Sequence, residues 1–322
     1  MTNKDKYRTL CQTEPSIPLF SRDWWLDAVC GGENGWDVLL VEEDGRVAAA
    51  LPLYIPYKGV VAMPLYTQTM GPWFAPVSEA TKYVTGLGRR QAFCKTFIKT
   101  LQNDYPRFLQ NFHYGITDWL PFYWEGYQQT TRYTYLLQDL SNLDAVWEGM
   151  SQHTRRNITR AKEKYAIAVK KGISAAELVK VCAKTFARQG VPLRATYARL
   201  LEQLVVLCRN RGQGDVWGGY DREGHLCAAV FVVWQESSAY YLAGGGDPLY
   251  RDSSAHSFAM WEAIRYVALS GKSRQFDFEG SMLPGVERFF REFGAVQMPY
   301  FAVSKGELSL SRRAWYKLKR LV

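Results

Sequence analysis

A strand–turn–strand pattern occurs twice in the chain, and this repeat constrains the fold more than any other sequence feature. Residues 36–54 contain two apolar strands joined by a turn, and residues 215–234 repeat the arrangement. The Asp44-Gly45 pair in the first turn favours a hairpin, because these residues adopt the backbone angles that tight turns need. Gly45 and Gly224 are 179 positions apart (224 − 45). A spacing of this size indicates a duplicated unit rather than a local repeat.

Helices flank both hairpins. A short helix through Trp24 and Val29 precedes the first hairpin, and an apolar stripe at helical spacing over residues 197–209 precedes the second. Each hairpin is followed by more strand and then by a long helix, which we predict at residues 89–103 and 255–269. The order helix, hairpin, strand, helix, strand therefore occurs twice.

The length of 322 residues suits two domains, since single domains usually span about 100–200 residues. We predict an α/β (α+β) protein with domains at residues 1–140 and 141–322. The second would include a basic helical segment at 151–171 and a basic C-terminal tail at 305–322.

The positive charge is concentrated in the second half. Residues 1–140 hold 13 Lys and Arg against 14 Asp and Glu, which leaves 27 and 17 for residues 141–322 and the whole chain at +9. Segment 151–171 contributes seven basic residues against one acidic residue, and tail 305–322 contributes six against one. The excess on segment 151–171 favours a phosphate-bearing ligand, and its simpler interpretation is a solvated face. The excess on the tail favours peripheral contact with anionic lipid or RNA, and its simpler interpretation is packing of the tail on its domain.

The composition excludes several classes of protein. The N-terminal residues 1–6 are polar and do not predict a signal peptide, and the apolar runs at 48–54 and 228–234 are far shorter than the ~20 residues of a membrane span. We therefore expect a cytoplasmic monomer without a metal. The six cysteines form no CxxC pair and no Cys/His cluster at zinc spacing: Cys11, Cys30, Cys94, Cys182, Cys208 and Cys227.

Two further segments carry a family-like pattern. Residues 139–161 contain a "DL" strand end followed by R-x-N-I-x-x-A, and residues 276–294 contain D-F-x-G followed by F-x-x-x-F-G. Together with the repeated hairpin, their order and spacing resemble the GNAT acyltransferase superfamily, in particular its FemABX-like branch of tandem GNAT proteins. The resemblance covers most of the chain.

The resemblance implies a fold and an activity. The fold would be two tandem GNAT-like domains, each a mixed, largely antiparallel central sheet flanked by helices. The activity would be transfer of an acyl or aminoacyl group from acyl-CoA or aminoacyl-tRNA to a small-molecule or peptidyl amine, such as a cell-wall precursor, with tRNA as a possible partner. Where relatives often carry a lysine that steadies the acyl carbonyl, this chain has Phe290, and Arg291 is the nearest cation.

Three residues are candidates for the base that such a transfer needs. Asp277 and Glu279 are two positions apart, so on a strand they would share a face and resist joint ionisation. Pairing with Arg274, Arg288 or another neighbour is the structural alternative. His256, at the start of a helix, is the third candidate, and capping or packing is its alternative role.

The candidate substrate-binding residues fall into three groups. Tyr241 and Arg251 flank Gly244-Gly245-Gly246, which would either bind an anion or mark a bend in a packed strand. Tyr66 and Trp73 belong to an aromatic group that faces the acceptor cleft in relatives, and core packing is the alternative for each ring. The third group lies on the basic helix, where guanidinium groups suit phosphate: Arg155, Arg156 and Arg160.

Two functions from different classes remain open at this point. The first is the N-acyltransferase. The second is a catalytically silent protein that binds RNA or a membrane surface through its basic half.

Overall fold

The computed structural model describes residues 1–188 and 190–306. The chain forms two compact units. The first comprises Met1–Arg132 and the described residues from Pro299 onward, and the second comprises Tyr133–Met298. Apart from residues 305 and 306, the basic tail lies outside the described residues.

The helices and strands follow the predicted order. The helices are α1 (Asn3–Thr13), α2 (Asp23–Val29), α3 (Tyr83–Asp104), α4 (Leu120–Trp124), α5 (Leu143–Gly149), α6 (Gln152–Glu163), α7 (Ala175–Arg188), α8 (Ala195–Asn210), α9 (Ala255–Leu269) and α10 (Pro284–Glu292). The strands are β1 (Trp36–Glu43), β2 (Arg46–Tyr57), β3 (Val60–Ala62), β4 (Trp73–Phe74), β5 (Arg107–Asn111), β6 (Gln128–Leu137), β7 (Ala168–Lys171), β8 (Gly214–Tyr220), β9 (Leu226–Trp234), β10 (Ala239–Gly246), β11 (Phe276–Asp277) and β12 (Val296–Lys305).

The sheet of the first unit has the strand order β1-β2-β3-β5-β12, with β4 also on β2. Strands β1 and β2 form the predicted hairpin, in register from Trp36↔Tyr54 to Glu43↔Arg46. The β3–β5 pair is parallel and the other pairs are antiparallel. Helix α3 buries Phe93, Phe97 and Leu101 in the core of this unit.

The sheet of the second unit has the order β6-β11-β10-β9-β8-β7. Only β10 and β11 are parallel, and all other pairs are antiparallel. Strand β9 is buried almost throughout, because α9 and α7 both pack against it. Helix α9 in turn contacts α6, the predicted basic helix. The predicted mixed, largely antiparallel sheets with flanking helices are confirmed.

The division between the units differs from the predicted one at residue 140. It falls between Arg132 and Tyr133, within β6, and β12 returns to the first unit to pair with β5 from Ala302 to Lys305. A sequence pattern marks changes between strand and helix. It has no signal for a division inside a strand, or for the return of a strand from the far end of the chain.

All six cysteines are buried and free. Burial raises their thiol pKa values, to about 12 for Cys11, Cys30 and Cys94. Among the described residues, no helix is both long enough and apolar enough to span a membrane.

We expect Gly294→Ala to destabilise the protein more than Gly172→Ala. Both glycines have φ near +85°, where an L side chain costs roughly 1–2 kcal/mol. A Cβ on Gly294 would also lie 2.6 Å from the Gly149 carbonyl oxygen, whereas a Cβ on Gly172 meets nothing within 4 Å. Urea unfolding of both variants measures the difference. Equal losses of stability would contradict the close approach at Gly294.

Candidate active site

Two buried carboxyl groups lie at the end of β11 in the second unit. Asp277 Oδ1 accepts hydrogen bonds from Thr134 Oγ1 and, at 2.7 Å, from the Glu279 backbone N–H. Asp277 Oδ2 and Glu279 Oε1 are buried and have no hydrogen-bond partner among the described residues. Unpartnered buried oxygens are costly and therefore uncommon, so two of them on residues two positions apart make this point the candidate functional site.

Both carboxyl groups bind their protons unusually tightly. Burial raises the pKa of Asp277 to about 7, although its two hydrogen bonds act in the opposite direction. Burial, and then the charge of Asp277, raise the pKa of Glu279 well above its ordinary value. Because neighbouring carboxylates resist joint ionisation, the pair holds a proton near neutral pH.

The proposed arginine partners of these acids are engaged elsewhere. Arg274 pairs with Glu236 at 3.4 Å, and Arg288 pairs with Glu292 at 2.8 Å along α10. These two arginines therefore do not neutralise Asp277 and Glu279.

Glu279 does not lie where strand periodicity placed it. Strand β11 ends at Asp277, and Glu279 and Gly280 both have left-handed backbone angles, with φ of 58° and 57°. The predicted same-face arrangement is wrong, because the chain turns directly after Asp277. This turn itself brings the second carboxyl group beside the first.

Tyr241 and His256 complete the cluster. The phenol oxygen of Tyr241, on β10, lies 3.1 Å from His256 Nε2 at the start of α9. Burial lowers the pKa of His256 to about 4, so the imidazole is neutral at pH 7. Burial, followed by the nearby Cys182 and Glu279, raises the pKa of Tyr241, so the phenol keeps its proton. The electrostatic effect of Glu279 on Tyr241 indicates that the acids and this pair share one region.

Aromatic rings form the wall behind this cluster. The imidazole of His256 stacks on Phe289 with centroids 5.1 Å apart, and Tyr241 contacts the edge of Phe290 at 6.1 Å. Phe290 is buried, and Phe278 stacks on its other side. The residue that replaces the lysine of relatives thus belongs to the core. Arg291 instead bonds Glu287 at 2.9 Å on the exposed surface of α10.

The glycine run of β10 is explained by packing. A Cβ on Gly244 would lie 2.6 Å from the Tyr241 hydroxyl, and one on Gly245 would lie 2.2 Å from Thr185 Oγ1 of α7. None of Gly244, Gly245 and Gly246 has a positive φ. The run is therefore extended strand rather than an anion-binding loop. Of the two interpretations left open by the sequence, the structure favours the packed strand.

Strand β10 loses its neighbour at the site. It pairs with β11 only at Ala239 and Tyr240, and its register against β9 shifts between Tyr241 and Ala243. Beyond Tyr240, the edge of β10 that faces β11 has no described strand partner. The unpaired edge of β10 therefore begins where β11 ends and the two acids follow.

Helix α9, which contacts β10, begins with unfilled backbone donors. Its N-cap residue, Ser254, has φ of 56° and makes no side-chain cap. Among the described residues, the N–H groups of His256 and Ser257 have no acceptor, and the first turn of a helix favours an anion. Arg251 is exposed in the 3₁₀ segment Pro248–Ser253 directly before it.

The three arginines of α6 have different surroundings. Arg155 bonds Glu148 at 2.6 Å, and Arg160 lies over the Tyr165 ring at 5.9 Å. Arg156 is exposed and has no ion pair among the described residues. Helix α6 also contacts the 3₁₀ segment that carries Arg251. Arg156 and Arg251 are therefore the members of the predicted phosphate set that remain open to a ligand.

Two predicted substrate residues belong to the other unit. Tyr66 has a left-handed backbone with φ of 53°, and Trp73 lies on β4, where its indole N–H donates to Ser16 Oγ at 2.9 Å. Their role stays a prediction for the first unit.

One group of described residues offers three metal-ligand atoms close together: Asp221, Glu223 and His225. It lies on the exposed turn between β8 and β9, and the His225 Nδ1–Asp221 Oδ2 distance is 3.1 Å. Exposed groups of this kind are common without an ion.

Thr134 is the site residue that sequence reasoning missed. It is fully buried on β6 and lies 143 residues before its hydrogen-bond partner Asp277. A lone threonine in a strand carries no signal of such a role, and only the β6–β11 pairing reveals it.

Asp277→Asn should remove a pH dependence of stability. In the wild type the folded-state pKa of Asp277 lies above the unfolded value, so the folded state binds more protons between about pH 4 and 7 and its stability falls as the pH rises. The fall amounts to roughly 4 kcal/mol for this group alone. Asparagine retains an oxygen for Thr134 and Glu279. Urea unfolding at several pH values should therefore give a flatter profile for the variant, and parallel profiles would refute the assignment.

Comparisons with known proteins support the same architecture. Residues 150–291 match the family model described as acetyltransferase (GNAT) domain. No curated protein sequence matches the chain. The fold of FemX matches with a TM-score of 0.66 at 12% identity, covering 94% of this chain and 96% of that chain.

Two further solved structures share the fold. A tandem GNAT protein from the clavulanic acid biosynthesis pathway matches with a TM-score of 0.51 at 14% identity, over 94% of both chains. The C-terminal domain (DUF2156) of a putative lysylphosphatidylglycerol synthetase from Agrobacterium fabrum matches with a TM-score of 0.53 at 11% identity, over 95% of this chain and 92% of that chain. Residues 150–291 thus match a GNAT domain, and the fold of the chain resembles those of FemX and of a tandem GNAT protein, which confirms the predicted tandem GNAT resemblance.

Proposed function

We propose that the second unit catalyses N-acyl transfer from an activated donor to an amine, with Glu279 as the base. The observation that carries this proposal is the pair of buried, unpartnered oxygens, Asp277 Oδ2 and Glu279 Oε1. A buried carboxylate becomes favourable when a cation reaches it, and an acceptor amine arrives as an ammonium ion. The acids thus provide both a binding site for the acceptor and a place for its proton.

The two acids have different roles in this proposal. Asp277 is held by Thr134 and by the Glu279 backbone, so it positions the turn and raises the proton affinity of its neighbour. Both acids have an unpartnered oxygen, but Glu279 as a residue is less buried than Asp277, so we assign to Glu279 the contact with the acceptor. Asp277 is therefore the positioning residue and Glu279 the catalytic one.

The proton and bond changes balance without a further reactant. Glu279 takes a proton from the ammonium group, and the freed amine forms a C–N bond to the donor carbonyl carbon. The bond from that carbon to the sulfur or oxygen of the donor then breaks, and the leaving group takes up a proton. The products are the amide, the free thiol or hydroxyl and one proton released to water.

Tyr241 and His256 act as neutral groups at pH 7. The raised pKa of Tyr241 keeps the phenol as a hydrogen-bond donor, and the lowered pKa of His256 keeps the imidazole as its acceptor. His256 therefore orients Tyr241 and is not the base, because its lowered pKa means that the imidazole is protonated only at acidic pH. Their pairing fixes the wall beside Glu279.

The donor is best explained as an acyl-CoA. The open first turn of α9, with Arg251 before it and Arg156 on the adjoining helix, offers backbone and guanidinium donors for a pyrophosphate. Aminoacyl-tRNA is the second candidate, but Phe290 stands in place of the lysine that the resemblance associates with its use. A cell-wall precursor remains the proposed acceptor class.

Six free cysteines are consistent with a reducing compartment, and we place the protein in the cytoplasm as a monomer. The alternative of a catalytically silent RNA- or membrane-binding protein is not favoured, because the family match and the acid cluster both point to acyl transfer.

Glu279→Gln should lower kcat by roughly 10²–10⁴-fold and raise the KM of the amine, with little change in the KM of acetyl-CoA, because it removes the base and its charge and keeps the shape. In the wild type, activity should rise with pH as the acid pair loses its proton, since only a carboxylate accepts one. Steady-state assays with acetyl-CoA and a panel of amines measure both effects. Glu223→Gln, on an exposed turn, is the control. An unchanged kcat in Glu279→Gln would exclude this base.

Arg251→Gln and Arg156→Gln should each weaken CoA binding about tenfold, the effect of losing one charge-assisted hydrogen bond. Calorimetric titration with CoA gives the dissociation constants, and Arg222→Gln on an exposed turn is the matched control. Identical affinities in all variants would move the phosphate site elsewhere and leave the base assignment intact.

A further inference from the structure

The first unit contains a cavity of about 560 Å³ that the acyl-transfer chemistry does not use. This volume lies within the roughly 300–1,000 Å³ typical of small-molecule sites. Apolar and aromatic side chains form most of its wall: Pro72, Trp73, Phe74, Phe93, Ile116 and Pro121. Such a wall suits a hydrocarbon chain or ring.

The apolar wall is firmly built. The Trp73 indole N–H donates to Ser16 Oγ at 2.9 Å, and both residues line the cavity. Phe74 and Phe93 stack with centroids 6.4 Å apart and an interplanar angle of 24°. Trp73 and Phe93 are each only 6% exposed. The cavity is therefore a property of the packed unit rather than a gap between loose surface chains.

One side of the cavity is cationic. Lys82, Arg89 and Arg90, at the start of α3, all belong to its lining. Arg89 is held by Glu43 at 2.9 Å and lies over the Phe93 ring at 5.4 Å. Within the described part of the chain, Lys82 and Arg90 form no ion pair, so both are open to an anion.

The other polar groups of the wall do not oppose an anion strongly. The single lining carboxylate, Asp118, accepts hydrogen bonds from Gln91 Nε2 at 2.8 Å and from the Leu120 N–H at 2.9 Å. His113 is neutral at pH 7, because burial lowers its pKa to about 4. Since Arg89 is paired with Glu43, the two unpaired cations Lys82 and Arg90 against Asp118 leave the cavity positive.

Apolar residues continue outward from this site. Tyr83 and Val84 are 77% and 72% exposed at the start of α3, next to the lining residues Lys82 and Gly86. Exposed apolar side chains beside cations are the surface on which an amphiphile first binds.

We propose that this cavity binds an amphiphilic anion, an alkyl chain ending in a carboxylate or phosphate, with the chain against Trp73 and Phe93 and the anionic group at Lys82 and Arg90. The site shares no residue with the acid cluster, although its wall includes Trp73, which the family resemblance places toward the acceptor. Two sources can supply this chemistry: a free fatty acid, or a phospholipid in a bilayer.

Gly86 offers a way to fill the cavity without removing any contact. It lines the cavity on α3, and a Cβ there would meet only Thr81 Cγ2, at 3.9 Å. Gly88 lies on the same helix, is exposed, has nothing within 4 Å of a Cβ and does not line the cavity. Gly86→Phe and Gly88→Phe are therefore a matched pair, since both remove a helix-weakening glycine.

The first measurement is calorimetric titration of the full chain with sodium decanoate. We expect binding in the wild type and in Gly88→Phe, and at least tenfold weaker binding in Gly86→Phe. Equal affinity in the two glycine variants would overturn the site. Thermal unfolding of each variant checks the fold. If Gly86→Phe fails to fold, the variants Arg90→Gln and Lys82→Gln decide the proposal.

The charge of the ligand is tested separately. Arg90→Gln and Lys82→Gln should each weaken decanoate binding about tenfold, as expected for loss of one charge-assisted contact. Binding of 1-decanol should be weaker than that of decanoate and unchanged in both variants. Equal binding of the alcohol and the acid would overturn the assignment to an anion.

The two sources are separated with vesicles. The site would be assigned to a phospholipid if the protein sediments with phosphatidylglycerol-containing vesicles, if Gly86→Phe abolishes this sedimentation, and if decanoate does not bind. Decanoate binding without sedimentation would assign it to a free fatty acid. Absence of both would overturn the proposal.

Discussion

The burial of Asp277 is the constraint on which the acid cluster depends. Its Oδ1 accepts hydrogen bonds from Thr134 on β6 and from the backbone of Glu279, so one carboxyl group joins a strand to a turn. The turn requires left-handed angles at Glu279 and Gly280, which cost roughly 1–3 kcal/mol at a residue with a side chain. A Cβ on Gly280 would lie 2.0 Å from the Tyr133 carbonyl oxygen, so the same strand fixes the turn from its other side.

The short length of β11 has a similar effect on β10. Since the two strands pair only at Ala239 and Tyr240, the remainder of β10 has no partner on this edge among the described strands, and the Tyr241 side chain lies back over Gly244. A longer β11 would continue the ladder along this edge. The loss of strand pairing and the position of the acids thus have one cause, the turn directly after Asp277.

Most of the fold followed from the sequence, because hairpin patterns and helical stripes are local. Strands β8 and β9 and helix α9 lie where residues 215–234 and 255–269 predicted them. The site was harder to predict, since it depends on distant contacts. Asp277 and Glu279 were found from their chemistry, but their geometry was wrong because a two-residue strand leaves no periodicity to interpret. Thr134 could not be found, since its pairing spans 143 residues.

The buried thiols determine how release of CoA, the leaving group of the proposed acyl-CoA donor, could be observed. All six cysteines are free and buried, and burial raises the pKa of each thiol to between about 11 and about 12. In the folded protein these thiols are therefore scarcely ionised at neutral pH and are shielded from reagents. A thiol-reactive dye would therefore label the CoA thiol far faster than the protein. Because the folded chain reacts slowly with such a dye, turnover can be followed continuously without removing a cysteine.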